Sequence, residues 1–223
     1  MLMEEGLSVV HLLAKRTPGT DRNAVLAALR AAEDADAQVV TASMLGHKAD
    51  VCVMALSPDW RVLRTLQTAL QRAGLDVVDS YVSITEVSEY AKGLPEHMLK
   101  DRLYPNLPPE GKPAFCFYPM SKRRESHANW YATDFDKRRD MMMEHGTSGR
   151  AFAGQLVQLI TASTGLDEHE WGVTLFATRP EVIKDVVYTL RFDEGSALYG
   201  DRSGLSTGPR CGPGRSRRSV RRS

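Results

Sequence analysis

The residue types best suited to chemistry crowd into one stretch, FCFYPMSKRRESHANWY, from Phe115 to Tyr131. Tyr118 precedes a proline and is followed by Met120, by the cations Lys122, Arg123 and Arg124, and then by Trp130 and Tyr131. A tyrosine at a strand end can be a core ring whose hydroxyl reaches water, with the cations forming a solvated turn. The alternative is a redox-active phenol beside cations that hold a carboxylated ligand. Composition alone does not choose between them.

His145 closes a helical pattern, DFDKRRDMMMEHG, with Gly146 placed as its C-cap. The helix dipole favours histidine there, and one imidazole nitrogen is also enough to ligate haem iron. His11, His47, His97, His127 and His169 have no partner spacing that suggests a metal site. Gln158 interrupts the apolar run LVQLI and, at period two, shares a face with Leu156 and Ile160. An amide buried without a partner costs about 1–3 kcal/mol, so Gln158 needs backbone at a sheet edge or a ligand in a cavity. The motifs H-E-x-x-H, G-x-x-x-x-G-K-[ST] and G-x-G-x-x-G are absent, which argues against zinc-protease, P-loop and Rossmann chemistry.

These residues have to be positioned by a framework that alternates strand and helix periods. LSVVHLLAK reads as a strand, TDRNAVLAALRAAED as a helix capped by Thr20 or Asp21, and QVVTASMLG and DVCVMALS as two strands. A helix starting at Ser57-Pro58 and stopping at Gly74 follows, then a long strand, LDVVDSYVSITEVSEY. The order β-α-β-β-α-β is ferredoxin-like. It begins again after a Pro-rich stretch: strand KPAFCFYPMS, helix TDFDKRRDMMMEHG, strands GQLVQLITAS and EWGVTLFAT, helix RPEVIKDVVYTLRF, and a last strand near residue 200. The expectation is an α+β chain of two tandem ferredoxin-like domains, residues 1–93 and 113–200, joined by a linker at 94–112. Residues 201–223 are Gly/Ser/Arg-rich with few apolar side chains and read as a basic, disordered or frameshifted tail.

Composition narrows the function classes. Across 223 residues, 29 basic and 28 acidic side chains give a net charge of +1, so the chain lacks the field of a nucleic-acid binder. No apolar run approaches the roughly 20 residues that span a bilayer, and the acidic amino terminus MLMEEGLSVV is unlike a secretory signal. A cytoplasmic protein is expected. Cys52, Cys116 and Cys211 are odd in number and widely spaced, without a disulfide framework or a metal clip; Cys52 and Cys116 lie in strand-like runs as small buried hydrophobes.

The blocks CFYPMSKRR, NWY, MMMEHGTSGR, DEHEWGVTLFA and YTLRFDEGSALY resemble, in order and spacing, the signature blocks of the coproheme decarboxylases of the chlorite-dismutase superfamily. The likeness is strong from residue 80 to 199 and topological before that. It implies a dimeric α+β barrel, antiparallel sheets with helices outside, assembled as a homopentamer. It also implies an activity: hydrogen peroxide drives decarboxylation of two propionates of iron coproporphyrin III to give haem b, through a three-propionate intermediate. A transient contact with ferrochelatase goes with that role. At matching positions His145 is the proximal iron ligand and Tyr118 the tyrosine that becomes a radical. Lys122, Arg191, Ser196 and Arg102 hold propionates, Met120 and Trp171 line the pocket, and Gln158 stands above the iron. Chlorite dismutases proper carry arginine at that last position, so chlorite chemistry is not implied. The alternative is a non-catalytic haem-binding or haem-delivery protein of the same fold, which needs neither Tyr118 nor Lys122. Family members continue after SALY with a strand like FGPFYTG, which the tail of this chain does not match.

Overall fold

The computed structural model describes residues 1–91, 93–202 and 206–210. The first half runs β1 (Ser8–Arg16), α1 (Arg22–Asp34), β2 (Gln38–Ser43), β3 (Val51–Ser57), α2 (Trp60–Arg72) and β4 (Leu75–Thr85). Local chemistry sets its boundaries. The Asp21 carboxylate accepts the N–H groups of Asn23 and Ala24 and so starts α1. Asp59 does the same for Arg61, so α2 starts at Trp60 rather than at Ser57-Pro58. Gly74 ends the turn after α2 at φ +88°, where a Cβ would lie 2.6 Å from the Gly19 carbonyl oxygen.

A short 3₁₀ turn (Glu89–Ala91) and α3 (Glu96–Leu103) lead to the second half. This comprises β5 (Ala114–Lys122), a small hairpin of β6 (Arg124–Glu125) and β7 (Ala128–Asn129), then α4 (Phe135–Arg150), β8 (Leu156–Ala162) and β9 (Trp171–Ala177). It ends with α5 (Pro180–Leu190), α6 (Glu194–Ala197), β10 (Gly200–Arg202) and β11 (Ser206–Pro209).

Apart from the β6–β7 hairpin, the strands form one antiparallel sheet in the order β10-β5-β9-β8-β4-β1-β3-β2, with β11 extending the pairing of β5. Both halves thus repeat the order fourth-first-third-second. They join where Ile84 and Thr85 of β4 pair with Ala162 and Thr161 of β8. At the opposite end Ala42 bridges Arg210 and the Leu45 N–H reaches the Thr207 carbonyl at 3.1 Å, so the sheet closes on itself. Gly208 permits that closure, since a Cβ there would lie 1.9 Å from the Ser43 carbonyl oxygen.

A closed sheet has two buried faces, which explains why Ser8 to Ala14 are buried without alternation. Val9, Leu13, Met54, Leu56, Phe115, Phe117 and Phe176 fill the inside. Outside, Leu12, Val53 and Ala55 pack on α1 and α2, while Cys116, Tyr118, Val173 and Leu175 pack on α5. Cys52 and Cys116 are buried as expected, their thiols pushed up to about 12 by burial; Cys211 lies outside the described residues.

Two further expectations are corrected. The helix carrying His145 does not end at Gly146 but continues to Arg150. Its last turn is held by Ser148, whose hydroxyl donates to Asp193 at 2.7 Å, which offsets the roughly 1 kcal/mol cost of a helical glycine. The chain after residue 200 also does more than trail: β10 pairs Gly200–Arg202 with Lys122–Met120, and β11 pairs Ser206–Pro209 with Phe117–Ala114. Backbone pairing needs no apolar side chains, so composition carries no sign of it. Residues 211–223 lie outside the described residues.

Candidate functional site

Alternation along β5 projects Tyr118, Met120 and Lys122 from one face. Cross-strand pairing carries that face outward: Met120 pairs with Trp171 and Trp171 with Ala162, Tyr118 with Val173 and Val173 with Ile160, Cys116 with Leu175 and Leu175 with Gln158. Directly paired residues point the same way, so Tyr118, Met120, Trp171 and Gln158 share the helix-facing side of the second half. Tyr118 is buried in the layer beneath α5. Gln158 is exposed, so its amide is open to solvent and the burial cost expected from its apolar neighbours does not arise.

The wall facing this sheet is polar. On α4, His145 donates from Nδ1 to a carboxylate oxygen of Asp193 at 3.0 Å, and the Ser196 hydroxyl stands 3.4 Å from the same nitrogen. Asp193 is buried, and its second oxygen takes the Ser148 hydroxyl. A buried carboxylate on Nδ1 fixes the ring and its tautomer and makes Nε2 the more basic nitrogen. The Lys122 ammonium donates to the Gly195 carbonyl at 2.7 Å and lies 4.4 Å above the Trp130 ring. One turn, Asp193 to Ser196, therefore gathers His145, Ser196 and Lys122 from α4, α6 and β5. Gly195 is close-packed within it: a Cβ would touch the Met141 Cβ at 3.4 Å.

Trp171 donates its indole N–H to Glu86 at 3.1 Å, across the β4–β8 seam. Burial raises the Glu86 carboxyl above its ordinary range, against the indole hydrogen bond. Two expected cations stand outside this arrangement. Arg191 is exposed, its guanidinium stacked over Tyr188 at 4.1 Å and Phe192 at 5.0 Å. Arg102 is exposed on α3, whose end is tied to the first half by the Leu103 carbonyl accepting from Thr85 at 2.8 Å.

The sequence offers no spacing signal for Asp193, Ser148, Glu86 or Glu170. Each is a carboxylate or hydroxyl that meets its partner tens of residues away. Trp130 is visible within the chemistry-rich stretch, but only the structure sets it under Lys122.

Comparison with known proteins agrees with this architecture. The family model described as chlorite dismutase matches residues 20–211. Coproheme decarboxylases of Staphylococcus carnosus and Staphylococcus saprophyticus are 42% and 41% identical over 71% of this chain, which spans 67% of each of them. A solved structure described as a novel heme-binding protein from Thermus thermophilus superposes with TM-score 0.82 at 31% identity, covering 93% of this chain and 92% of that one. Chlorite dismutase from Candidatus Nitrospira defluvii, at 19% identity and TM-score 0.75 over 94% of this chain and 93% of that one, shares the fold. On a family match across most of its length and relatives above 40% identity, the chain belongs to the chlorite dismutase family.

Proposed function

We propose that this chain is a coproheme decarboxylase, which oxidises two propionates of iron coproporphyrin III to vinyl groups and yields haem b through a three-propionate intermediate. Each propionate, with one hydrogen peroxide and one proton, gives a vinyl group, carbon dioxide and two waters. The observation that carries the reading is the pairing of two walls. Tyr118, Met120, Trp171 and Gln158 share one sheet face, and the facing helix layer holds His145 through Asp193.

The residues fit such a substrate. An imidazole whose Nδ1–H is bound by a buried carboxylate is suited to ligate iron through Nε2. Iron in the bound substrate supplies the two-electron chemistry with peroxide. The Tyr118 phenol, buried beneath α5, gives up its hydrogen and then takes one from the propionate β-carbon. Lys122 meets a carboxylate as a point charge with three donors, and Ser196 adds a hydroxyl beside His145. Arg102 and Arg191 serve the remaining propionates from the exposed rim. Gln158, neutral and exposed on the same sheet face, would stand toward the iron without adding charge. The assembly that goes with this reading is a cytoplasmic homopentamer with a transient contact to ferrochelatase. Among the described residues, no helix is long and apolar enough to cross a membrane.

The test is an absorbance titration with iron coproporphyrin, followed by stoichiometric peroxide and mass spectrometry of the extracted porphyrin. Loss of two carboxyl groups is expected. Tight binding with unchanged porphyrin mass would overturn the enzymatic reading in favour of a haem carrier.

A further inference from the structure

Glu170 sits immediately before β9 and is only 8% exposed. Its backbone is fixed on both sides, with its N–H on the Met120 carbonyl at 3.2 Å and its carbonyl taking the Ser163 N–H at 2.8 Å. Its carboxylate collects three donors. One oxygen accepts the Lys122 backbone N–H at 3.0 Å and the Tyr131 hydroxyl; the other accepts the Arg124 guanidinium at 2.5 Å. Burial alone would raise the Glu170 carboxyl. The hydrogen bonds from Tyr131, Arg124 and Lys122 outweigh that and hold it below the usual range.

These donors have a shared geometry. Arg124 lies on the outgoing arm of the β6–β7 hairpin and Tyr131 follows the returning arm, with the guanidinium stacked 4.2 Å over the phenol ring. The hairpin pairs only Arg124–Asn129 and Glu125–Ala128. A ladder that short does not hold itself in water. Its other ties include the Trp130 N–H to the Arg123 carbonyl at 3.0 Å, the Arg123 N–H to the Tyr199 carbonyl at 2.9 Å, and the packing of Ala128 and Trp130 with Met141 and Tyr199, which anchors the returning arm and leaves Arg124 on the outgoing arm to Glu170. Trp130, on the returning arm, is the ring beneath the Lys122 ammonium. The one carboxylate thus grips the Lys122 backbone and both arms of the hairpin that carries the Lys122 shelf.

We propose that Glu170 is a positioning residue: by latching the 123–131 hairpin it fixes where the Lys122 ammonium meets a substrate carboxylate, and by pairing Arg124 it keeps that guanidinium from competing for the same carboxylate. The inference rests on the decarboxylase reading for its substrate, but not for the latch itself. Electrostatics supports it, because a charge-assisted bond between a guanidinium and a shielded carboxylate is among the stronger polar contacts available to a surface hairpin.

The test uses the full chain and two variants, E170Q and the double variant R124Q/E170Q. In ligand-free protein, E170Q is expected to speed hydrogen exchange at the Lys122 and Trp130 amides at least tenfold while β8 and β9 keep their protection. The double variant, in which two amides can pair without charge, is expected to recover protection to within about threefold. With iron coproporphyrin, E170Q should change the dissociation constant less than threefold and slow the first decarboxylation about tenfold. Unchanged hairpin exchange, or faster exchange shared equally by β8 and β9, would overturn the latch. A loosened hairpin with decarboxylation at the parent rate would overturn the positioning role. If the parent chain itself binds iron coproporphyrin without converting it, the decarboxylase reading falls, and the exchange measurements still decide whether Glu170 latches the hairpin.

Discussion

In the first half, α1 and α2 bury Ala28, Ala32, Leu63, Leu66 and Leu70 against the sheet, whereas α4, at 16 residues against the 13 of α1, buries only Met141. The two halves share a strand order, and α1 and α4 hold equivalent places in it. The difference lies in what the helix brings. The sequence of α1 supplies a small apolar stripe that seals it onto its neighbours. The sequence of α4 supplies Asp, Lys, Arg, Glu and His around a few methionines, so it docks on α5 and α6 and leaves Gln158 of β8 exposed. Withholding apolar residues from one helix of a repeated unit opens the sheet face that the second half uses.

If the open half is the working half, its variants should lose chemistry and keep the fold. His145→Ala should abolish peroxide-driven conversion and change the spectrum of the bound iron porphyrin, with the unfolding temperature nearly unchanged. An unaltered spectrum would contradict the ligand role. The sealed half should respond in the opposite way. Leu66 is almost fully buried between α2 and the sheet, and Leu66→Ala should cost about 2–5 kcal/mol in denaturant unfolding with little change in porphyrin affinity. Comparable loss of affinity and stability would erase the contrast between the halves.

The seams between the halves give smaller effects. Gly208→Ala places a methyl against the Ser43 carbonyl and should cost about 1–3 kcal/mol by parting β2 from β11. Equal stability of parent and variant would show that closure there contributes nothing.

His11 marks the inner seam. It is fully buried on β1, its Nε2 lies 2.9 Å from the Thr174 hydroxyl on β9, and its ring stacks on Phe117 at 3.8 Å. Its Nδ1 is the one buried side-chain nitrogen among the described residues without a partner. Burial pulls its pKa down to about 3. The unfolded chain takes up a proton near the ordinary histidine value while the folded chain refuses it. The full contribution is therefore present above pH about 6.5 and is lost as pH falls from there toward 3. His11→Gln should flatten the stability profile in that window by up to about 1.4 kcal/mol per pH unit. The same slope in parent and variant would remove His11 from the acid response.

Much of this is legible in the sequence because it depends on local periods. Both β-α-β-β-α-β runs, the helix cap at Thr20 or Asp21 and the Gly74 stop follow from local spacing, whereas the expected strand ended at Ser121 and only the observed β5 puts Lys122 on the face of Tyr118 and Met120. What stays hidden is non-local or carried by backbone. Asp193 meets His145 across a span of 48 positions, Glu86 meets Trp171 across 85, and β11 forms from the segment STGP, in which Thr207 is the one β-branched side chain. The extent of α4 is hidden for a related reason: Gly146 reads as a stop, and the contact that carries the helix past it, Ser148 to Asp193, lies 45 residues apart.

The most direct test of the central claim is Tyr118→Phe, because phenylalanine keeps the ring beneath α5 and removes only the hydroxyl. The measurement is mass spectrometry of the porphyrin extracted after stoichiometric peroxide, alongside a titration with iron coproporphyrin. The expected result is near-parental binding, no three-propionate intermediate and no haem b. Product masses matching the parent's would contradict the account, and a failure to bind substrate would reduce Tyr118 to a structural ring.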